Sequence, residues 1–383
     1  MASPREGFNI DIIGRFVRKS LLNQHLTLPI AAAATFLSFD SSGNYLAKAA
    51  HVFASLGINP SAVSPALTQK VGRLALILGA TGLLLSFNEW LTKWFANNWT
   101  ATKRGEWDWD REIVVVTGGS QGLGAGIVHG LLARNPRTTI VVVDFVPLTW
   151  EPPTGSNIYY YCADLSDSAD IKNVCEKIRT EVGHPTVLVN NAGIARGRTI
   201  MEGTYADVEM TFKVNLIAPF LLIKEFLPDM VKHNHGHIAN VCSTSSFVAP
   251  PNIVDYSASK AGIRSMHDGL QLELVYRHKA PKVRLTNGVF NFIKTPLFTG
   301  STGIPNFLVP LLRIETVSEA IVNTLYSGYG TTLILPGMMR YVSMLQGAPE
   351  WMLRYVRNGS AKYDIDFTAR HIIDSKTGKL VER

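Results

Sequence analysis

Residues 112–124 read EIVVVTGGSQGLG. The uncharged run that follows Glu112, up to Thr117, predicts a buried strand, and the glycines after it predict a tight turn into a helix that runs to about Arg134. The turn holds Gly118, Gly119, Ser120, Gln121, Gly122, Leu123 and Gly124, with the spacing G-x-x-x-G-x-G. Glycines there let the backbone close tightly and approach a pyrophosphate, whose charge is favoured at a helix N-terminus. Such turns are common. This one gains meaning from lying between a strand and a helix.

Outward from this turn the same texture repeats. Strands are expected at 139–144, 157–162, 186–190, 236–242, 282–288 and 331–335. Helices are expected at 170–182, 206–232, 255–278 and 317–326. Alternation of this kind implies an α/β fold, a Rossmann-type, doubly wound parallel sheet of about seven strands with helices on both faces. Asp144 closes the second strand, 20 residues after Gly124. An acidic side chain there hydrogen-bonds ribose hydroxyls and repels a 2′-phosphate, and neither Phe145 nor any residue of the turn is basic. The reading therefore favours NAD(H) and leaves NADP(H) as the second choice.

The stretch Tyr256-Ser257-Ala258-Ser259-Lys260 opens a predicted helix. Positions i and i+4 share a face, so an ammonium stands near a phenol and is expected to lower its pKa. Such a tyrosine can exchange a proton with an alcohol or carbonyl oxygen. Ser243, 13 residues earlier at the end of the fifth strand, can hydrogen-bond the same oxygen. No Cys/His grouping suggests a metal.

Together these residues resemble the short-chain dehydrogenases/reductases, over about residues 111–335. Asp164-Leu165, Asn190-Asn191-Ala192-Gly193 and Asn215 complete the resemblance. It implies an oxidoreductase acting on CH–OH groups. Tyr256 would be the general acid/base, Lys260 would hold the nicotinamide ribose and tune Tyr256, Ser243 would orient the substrate oxygen, and Asn215 would hold a water. Asp164 and Leu165 would contact the adenine, and Asn191 and Gly193 would line the cofactor pocket. Phe290-Asn291-Phe292-Ile293-Lys294-Thr295 looks like the variant turn of the membrane-bound retinol and 17β-hydroxysteroid dehydrogenase branch, with fungal members most similar. There Ile293 and Thr295 would reach the nicotinamide. Phe290 stands where that branch has proline.

The chain has 383 residues, 46% of them hydrophobic and only 17% charged, which excludes wholesale disorder and hints at surface that does not face water. Three cysteines form no disulfide framework. The net charge of +7 is concentrated early: residues 1–104 hold 10 Lys/Arg against 4 Asp/Glu. That distribution suits an anionic membrane surface and gives no nucleic-acid signature. Leu26–Phe39 and Leu74–Asn88 are uncharged for 14 and 15 residues, short of the ~20 of a full span. Five tryptophans between Trp90 and Trp109 read as an interfacial belt. The runs either span, form a hairpin or lie flat. A soluble helical cap is the alternative.

The expected domains are thus an N-terminal membrane-associated helical region (1–104), a catalytic domain (105–337), and a C-terminal amphipathic extension and tail (338–383). The apolar segment from Pro296 to Leu312 predicts a lid over a lipophilic substrate. Met338–Arg357 either lies on the membrane near the pocket mouth or packs as ordinary helix. His233, His235 and His237 are expected in a solvated loop.

The leading expectation is a hydride transfer between the nicotinamide cofactor and a retinoid, steroid or fatty alcohol or ketone. It takes place at the cytosolic face of the endoplasmic reticulum or a lipid droplet. A sphingoid ketone reductase and a non-catalytic scaffold are the alternatives. Expected partners are the lipophilic substrate and the membrane surface, with a homodimer left open.

Overall fold

The computed structural model describes residues 5–39, 44–55, 64–295, 297, 305–361, 372–373 and 380–381. The chain divides into two compact units, one of Ile10–Thr92 and one of Met1–Asn9 with Lys93–Arg383.

The larger unit is built on seven parallel strands, β1 (Ile113–Thr117), β2 (Thr139–Asp144), β3 (Ile158–Cys162), β4 (Val187–Asn190), β5 (Gly236–Ser243), β6 (Val283–Phe290) and β7 (Thr332–Leu335). Their order is β3-β2-β1-β4-β5-β6-β7. The order reverses direction between β1 and β4. A crevice opens outside the carboxyl ends of the strands at such a switch point, and ligands bind there. The fold class expected from the sequence is the one observed. Because helices cover both faces, central strands have no polar side: all five residues from Val114 to Gly118 except the glycine are buried, as are Val187, Leu188 and Val189.

The covering helices are α5 (Gly122–Arg134), α6 (Ser168–Glu181), α7 (Tyr205–Phe212), α8 (Ala218–His233), α9 (Val254–Leu272) and α10 (Ile314–Ser327). The segment read as one helix over 206–232 is α7 and α8 joined by a π turn, Lys213–Ile217. A second π turn, Glu273–Arg277, follows α9. Two short helices, Met339–Met344 and Glu350–Ser360, follow β7. Pro296 and residues 298–304 of the expected lid, and residues 362–371, 374–379 and 382–383 of the tail, lie outside the described residues.

The smaller unit contains α1 (Ile10–Lys19), α2 (Gln24–Ser38), α3 (Asn44–Ser55) and most of α4 (Pro65–Ala96). The second apolar run, which continues amphipathically through Trp90, Leu91, Trp94 and Phe95, is the middle of a 32-residue helix. Lys70, Arg73, Glu89 and Lys93 end the uncharged run but not the helix. By length and composition α4 can cross a membrane. Its buried positions are Gly72, Ala75, Gly79 and Gly82, facing Thr27, Ala31 and Ala34 of α2. A Cβ on Gly82 would lie 2.1 Å from the Leu22 carbonyl oxygen. The two helices thus meet on small residues, while Ile30, Phe36, Leu74, Ile77, Leu84 and Phe87 point outward and are exposed.

Two expectations need correction, and the first turns on the docking of segment 97–110. Arg284 of β6 is buried and donates to the carbonyl oxygens of Asn97, Thr100 and Gly328 and to the hydroxyls of Thr100 and Thr102. Trp107 and Trp109 do not belong to an interfacial belt: Trp109 is buried and stacks on Tyr326 at 3.9 Å, and Trp107 packs on His235 at 4.3 Å. Trp90 and Trp99 are the exposed pair. Finally, His237 is wholly buried in β5, its Nε2 2.8 Å from the Thr286 hydroxyl, and burial pulls its pKa down to about 3. His235 sits 3.2 Å from the Glu112 carboxylate, and of the three histidines only His233 is mostly exposed.

Candidate active site

The glycine turn is held by its neighbours on three sides. Gly118 and Gly122 have φ of +65° and +57°, in the left-handed region that side chains avoid. A Cβ on Gly124 would fall 2.0 Å from the Gly118 carbonyl oxygen, so α5 begins against the turn with no room for a side chain. Asn191, just past β4, donates its amide to the carbonyls of Thr117 and Gly118 at 2.9 and 3.1 Å. The Thr117 hydroxyl accepts from the backbone N–H of Asn191 and Ala192, both at 3.0 Å. The loop after β2 closes the third side: Thr149 donates to the Ser120 carbonyl and the Trp150 indole to that of Gly119. Ser120 itself is buried and donates to the Val146 carbonyl at 2.8 Å.

Asp144 stands at the end of β2, where the sequence placed it. Its carboxylate accepts from the backbone N–H of Ser120 at 2.9 Å and of Phe145 at 2.8 Å. Asp164 accepts from the Ser166 backbone and hydroxyl at 2.9 and 2.7 Å, and Leu165 beside it is buried. Both carboxylates line one cavity of about 880 Å³ that also reaches Gly118, Gln121, Gly122 and Leu123. Among the described lining residues Lys260 is the only lysine or arginine.

At the other end of the cavity stand Ser243, Tyr256 and Lys260. Ser243 ends β5, and its hydroxyl caps the short 3-10 turn Thr244–Ser246 by accepting from the Ser245 N–H. Tyr256 lies in the first turn of α9 and Lys260 one turn on, both facing the cavity. The Lys260 ammonium donates to the Val241 carbonyl at 2.9 Å and lies 5.6 Å from the centre of the Tyr256 ring. Burial pushes the phenol up to about 12, with the buried Cys242 adding to the rise and a hydrogen bond with Ser243 opposing it. The lowering expected from Lys260 is not what the structure gives: desolvation dominates the phenol, and burial lowers Lys260 as well. Cys242 is buried, its thiol pushed up by burial, which suits a packing residue.

Asn215 sits in the π turn, buried. Its amide accepts from the Ile194 N–H at 2.8 Å and donates to the Ile194 carbonyl at 2.9 Å and to the Ser259 hydroxyl at 3.2 Å. The extra residue of the turn aims this side chain at the loop after β4. A Cβ on Gly193 would stand 3.4 Å from the Asn215 oxygen and 3.5 Å from the Lys260 nitrogen, so glycine leaves that corner open. Ile293 and Thr295 also line the cavity, on a stretch held by backbone bonding to Leu312. Phe290 is buried in β6, and Phe292 joins Ala195, Ile253, Leu297 and Leu311 in an apolar cluster against Tyr256.

Thus every site residue expected from the sequence, Ser120, Gly124 and Asn215 aside, borders this cavity; those three support its walls. The residues not foreseen are supporting ones: Ser259, Thr149 and Trp150. Ser259 was visible inside the Tyr256–Lys260 stretch. Trp150 carried no signal, since its role depends on how a loop folds back.

Residues 112–302 match the short chain dehydrogenase family. Dehydrogenase RED2 of Cochliobolus heterostrophus is 36% identical over 219 residues, which cover 56% of this chain and 81% of the relative. The chain belongs to the short chain dehydrogenase family. Estradiol 17-beta-dehydrogenase 11 of Macaca fascicularis is 29% identical over 269 residues, covering 67% of this chain and 85% of that protein. Among solved structures, a short chain dehydrogenase from Burkholderia cenocepacia in complex with NADP covers 64% of this chain and 96% of its own, at 23% identity and a TM-score of 0.53. That last likeness establishes the shared fold. The protein is accordingly an NAD(P)-dependent oxidoreductase acting on CH–OH groups, and the dehydrogenase fold begins at the strand that opened the sequence reading.

Proposed function

We propose that this dehydrogenase exchanges hydride between NAD(H) and a lipophilic alcohol or ketone of the retinoid, steroid or fatty alcohol type, while attached to a membrane. The observation that carries the reading is the meeting of Ser243, Tyr256 and Lys260 with an apolar wall of Ile253, Phe292 and Leu297 in one cavity.

The residues fit a dinucleotide: the glycine cradle at the start of α5 would take the pyrophosphate, Asp144 the ribose hydroxyls and Asp164 with Leu165 the adenine side. Gly193, Ile293 and Thr295 border the end where the nicotinamide ring, which takes or gives the hydride, would lie. Tyr256, protonated at neutral pH, gives its phenolic proton to a carbonyl oxygen in reduction and takes it back from the alcohol in oxidation. Ser243 hydrogen-bonds the same oxygen, and Lys260 stabilises the phenolate by its charge. Asn215 keeps Ile194 and Ser259 in place behind them.

Two carboxylates and, among the described lining residues, no lysine or arginine at the ribose end favour NAD(H) over NADP(H). Asp144→Ala with Phe145→Arg should shift the preference towards NADP(H); a wild type that already prefers NADP(H) would remove this reading of the β2 end. For attachment, α4 has the length and the outward apolar surface, and the basic excess of residues 1–104 suits anionic headgroups. The endoplasmic reticulum or a lipid droplet, with the site on the cytosolic side, is the location we infer; the unpaired cysteines suit a reducing compartment.

Turnover of a panel of retinoids, steroids, fatty alcohols and sphingoid ketones by the purified full chain tests the function. Activity confined to lipophilic alcohols and ketones supports it. Activity on sphingoid ketones alone moves the substrate class, and no turnover with any substrate favours a scaffold.

A further inference from the structure

The two helices after β7, α11 (Met339–Met344) and α12 (Glu350–Ser360), have two different faces. Met339, Val342 and Val356 line the cavity, and Leu353 is buried beneath. On the other side Tyr341, Met344, Trp351 and Tyr355 are each 70% exposed or more. Four large side chains left in water on two short helices are costly for a soluble surface and suited to a membrane interface, where aromatic rings sit at headgroup level. Residues 338–361 carry Arg340, Arg354 and Arg357 against Glu350 alone. The position over the cavity is fixed: Arg264 of α9 donates to Gln346, which donates to the Phe247 carbonyl.

We propose that the outer face of α11 and α12 docks on the headgroup layer of an anionic membrane, so that the substrate cavity opens towards lipid and takes its substrate from the bilayer. This is a second contact, separate from α4. The occupant follows from charge and shape: arginines at the rim meet anionic headgroups, aromatic rings enter the interface, and the same helices wall the cavity. The substrate part rests on the lipophilic reading above; the docking part does not.

The test uses the full chain reconstituted in phosphatidylcholine vesicles, with or without phosphatidylserine, carrying a lipid with a photoactivatable diazirine near the headgroup. Adducts should map to peptides within 339–357 and increase with phosphatidylserine. A variant with Tyr341→Ser, Met344→Ser, Trp351→Ser and Tyr355→Ser should lose those adducts while keeping the ones on residues 10–92. The variant should also lose roughly tenfold or more in kcat/KM on a membrane-dissolved long-chain alcohol, the least such a loss of apolar burial would give, with the rate on a short water-soluble alcohol unchanged. Adducts confined to residues 10–92, or protection of this face by a second copy of the chain, would overturn the proposal. If the lipophilic reading fails and neither alcohol turns over, the adduct map still decides the docking.

Discussion

At the centre of the sheet the large apolar side chains are inside; in the α2–α4 pair they are outside. Val115, Leu188 and Ile238 are buried at the centre of one, whereas Gly72, Ala75, Gly79 and Gly82 fill the seam of the other and Leu84 and Phe87 face away. Both units use glycine for close approach, Gly124 against Gly118 and Gly82 against Leu22. The difference lies in the solvent each surface suits. A core that excludes water gains from burying Leu and Val. Helices in lipid gain nothing from that and instead associate through small residues that bring backbones together. Equal hydrophobicity in the sequence therefore has opposite structural meanings in the two regions.

The contrast can be broken most forcefully at matched leucines. Leu188→Ala, in the fully buried centre of β4, should destabilise the sheet unit by ~2–5 kcal/mol in thermal or chemical unfolding. Leu84→Ala, 69% exposed on α4, should change that same transition by less than about 0.5 kcal/mol. Comparable losses at both positions would mean that α4 is packed as a core helix. Next in size is the seam. Gly82→Leu sets a side chain against a backbone carbonyl, which cannot swing away, and should cost ~1–3 kcal/mol in the stability of the helical pair measured in detergent. Turnover should be retained, because no site residue lies in α2 or α4. Loss of turnover with an intact helical pair would contradict the separation of roles.

The last contrast is a pH dependence inside the sheet unit. His237 is held neutral, with its pKa lowered to about 3 from 6.5. The unfolded chain therefore binds a proton first as pH falls. The stabilisation is present above about pH 6.5 and is lost as pH falls towards 3, at up to ~1.4 kcal/mol per pH unit. His237→Gln, which can still bond Thr286, should flatten the fall in melting temperature between neutral and mildly acidic pH. An unchanged slope would place the titration elsewhere.

Much of this was legible because local chemistry and global fold agree. The strand at 139–144 has the observed bounds, the turn at 117–124 stands out because it joins a strand to a helix, and the pair Tyr256 and Lys260 stands out because it occurs together with that turn and Ser243. The π turns at 213–217 and 273–277 were not legible, since one inserted residue barely disturbs a 3.6-residue period. The burial of His237 was hidden because a polar residue near a strand's start reads as loop, and its partner Thr286 is on a different strand. Trp107 and Trp109 follow the exposed tryptophans in sequence, and only the docking of 97–110 through Arg284 separates them. The full length of α4 was masked by charges near its ends, which a helix can carry without breaking.

The most direct measurement concerns Tyr256. Tyr256→Phe keeps the ring and its packing but removes the proton that the substrate oxygen needs. NADH binding, followed by fluorescence, should stay near the wild-type value, while steady-state turnover of a lipophilic alcohol should fall at least ~100-fold. Turnover within a few-fold of wild type, with NADH still bound, would contradict the assignment of this cavity as the site of hydride transfer.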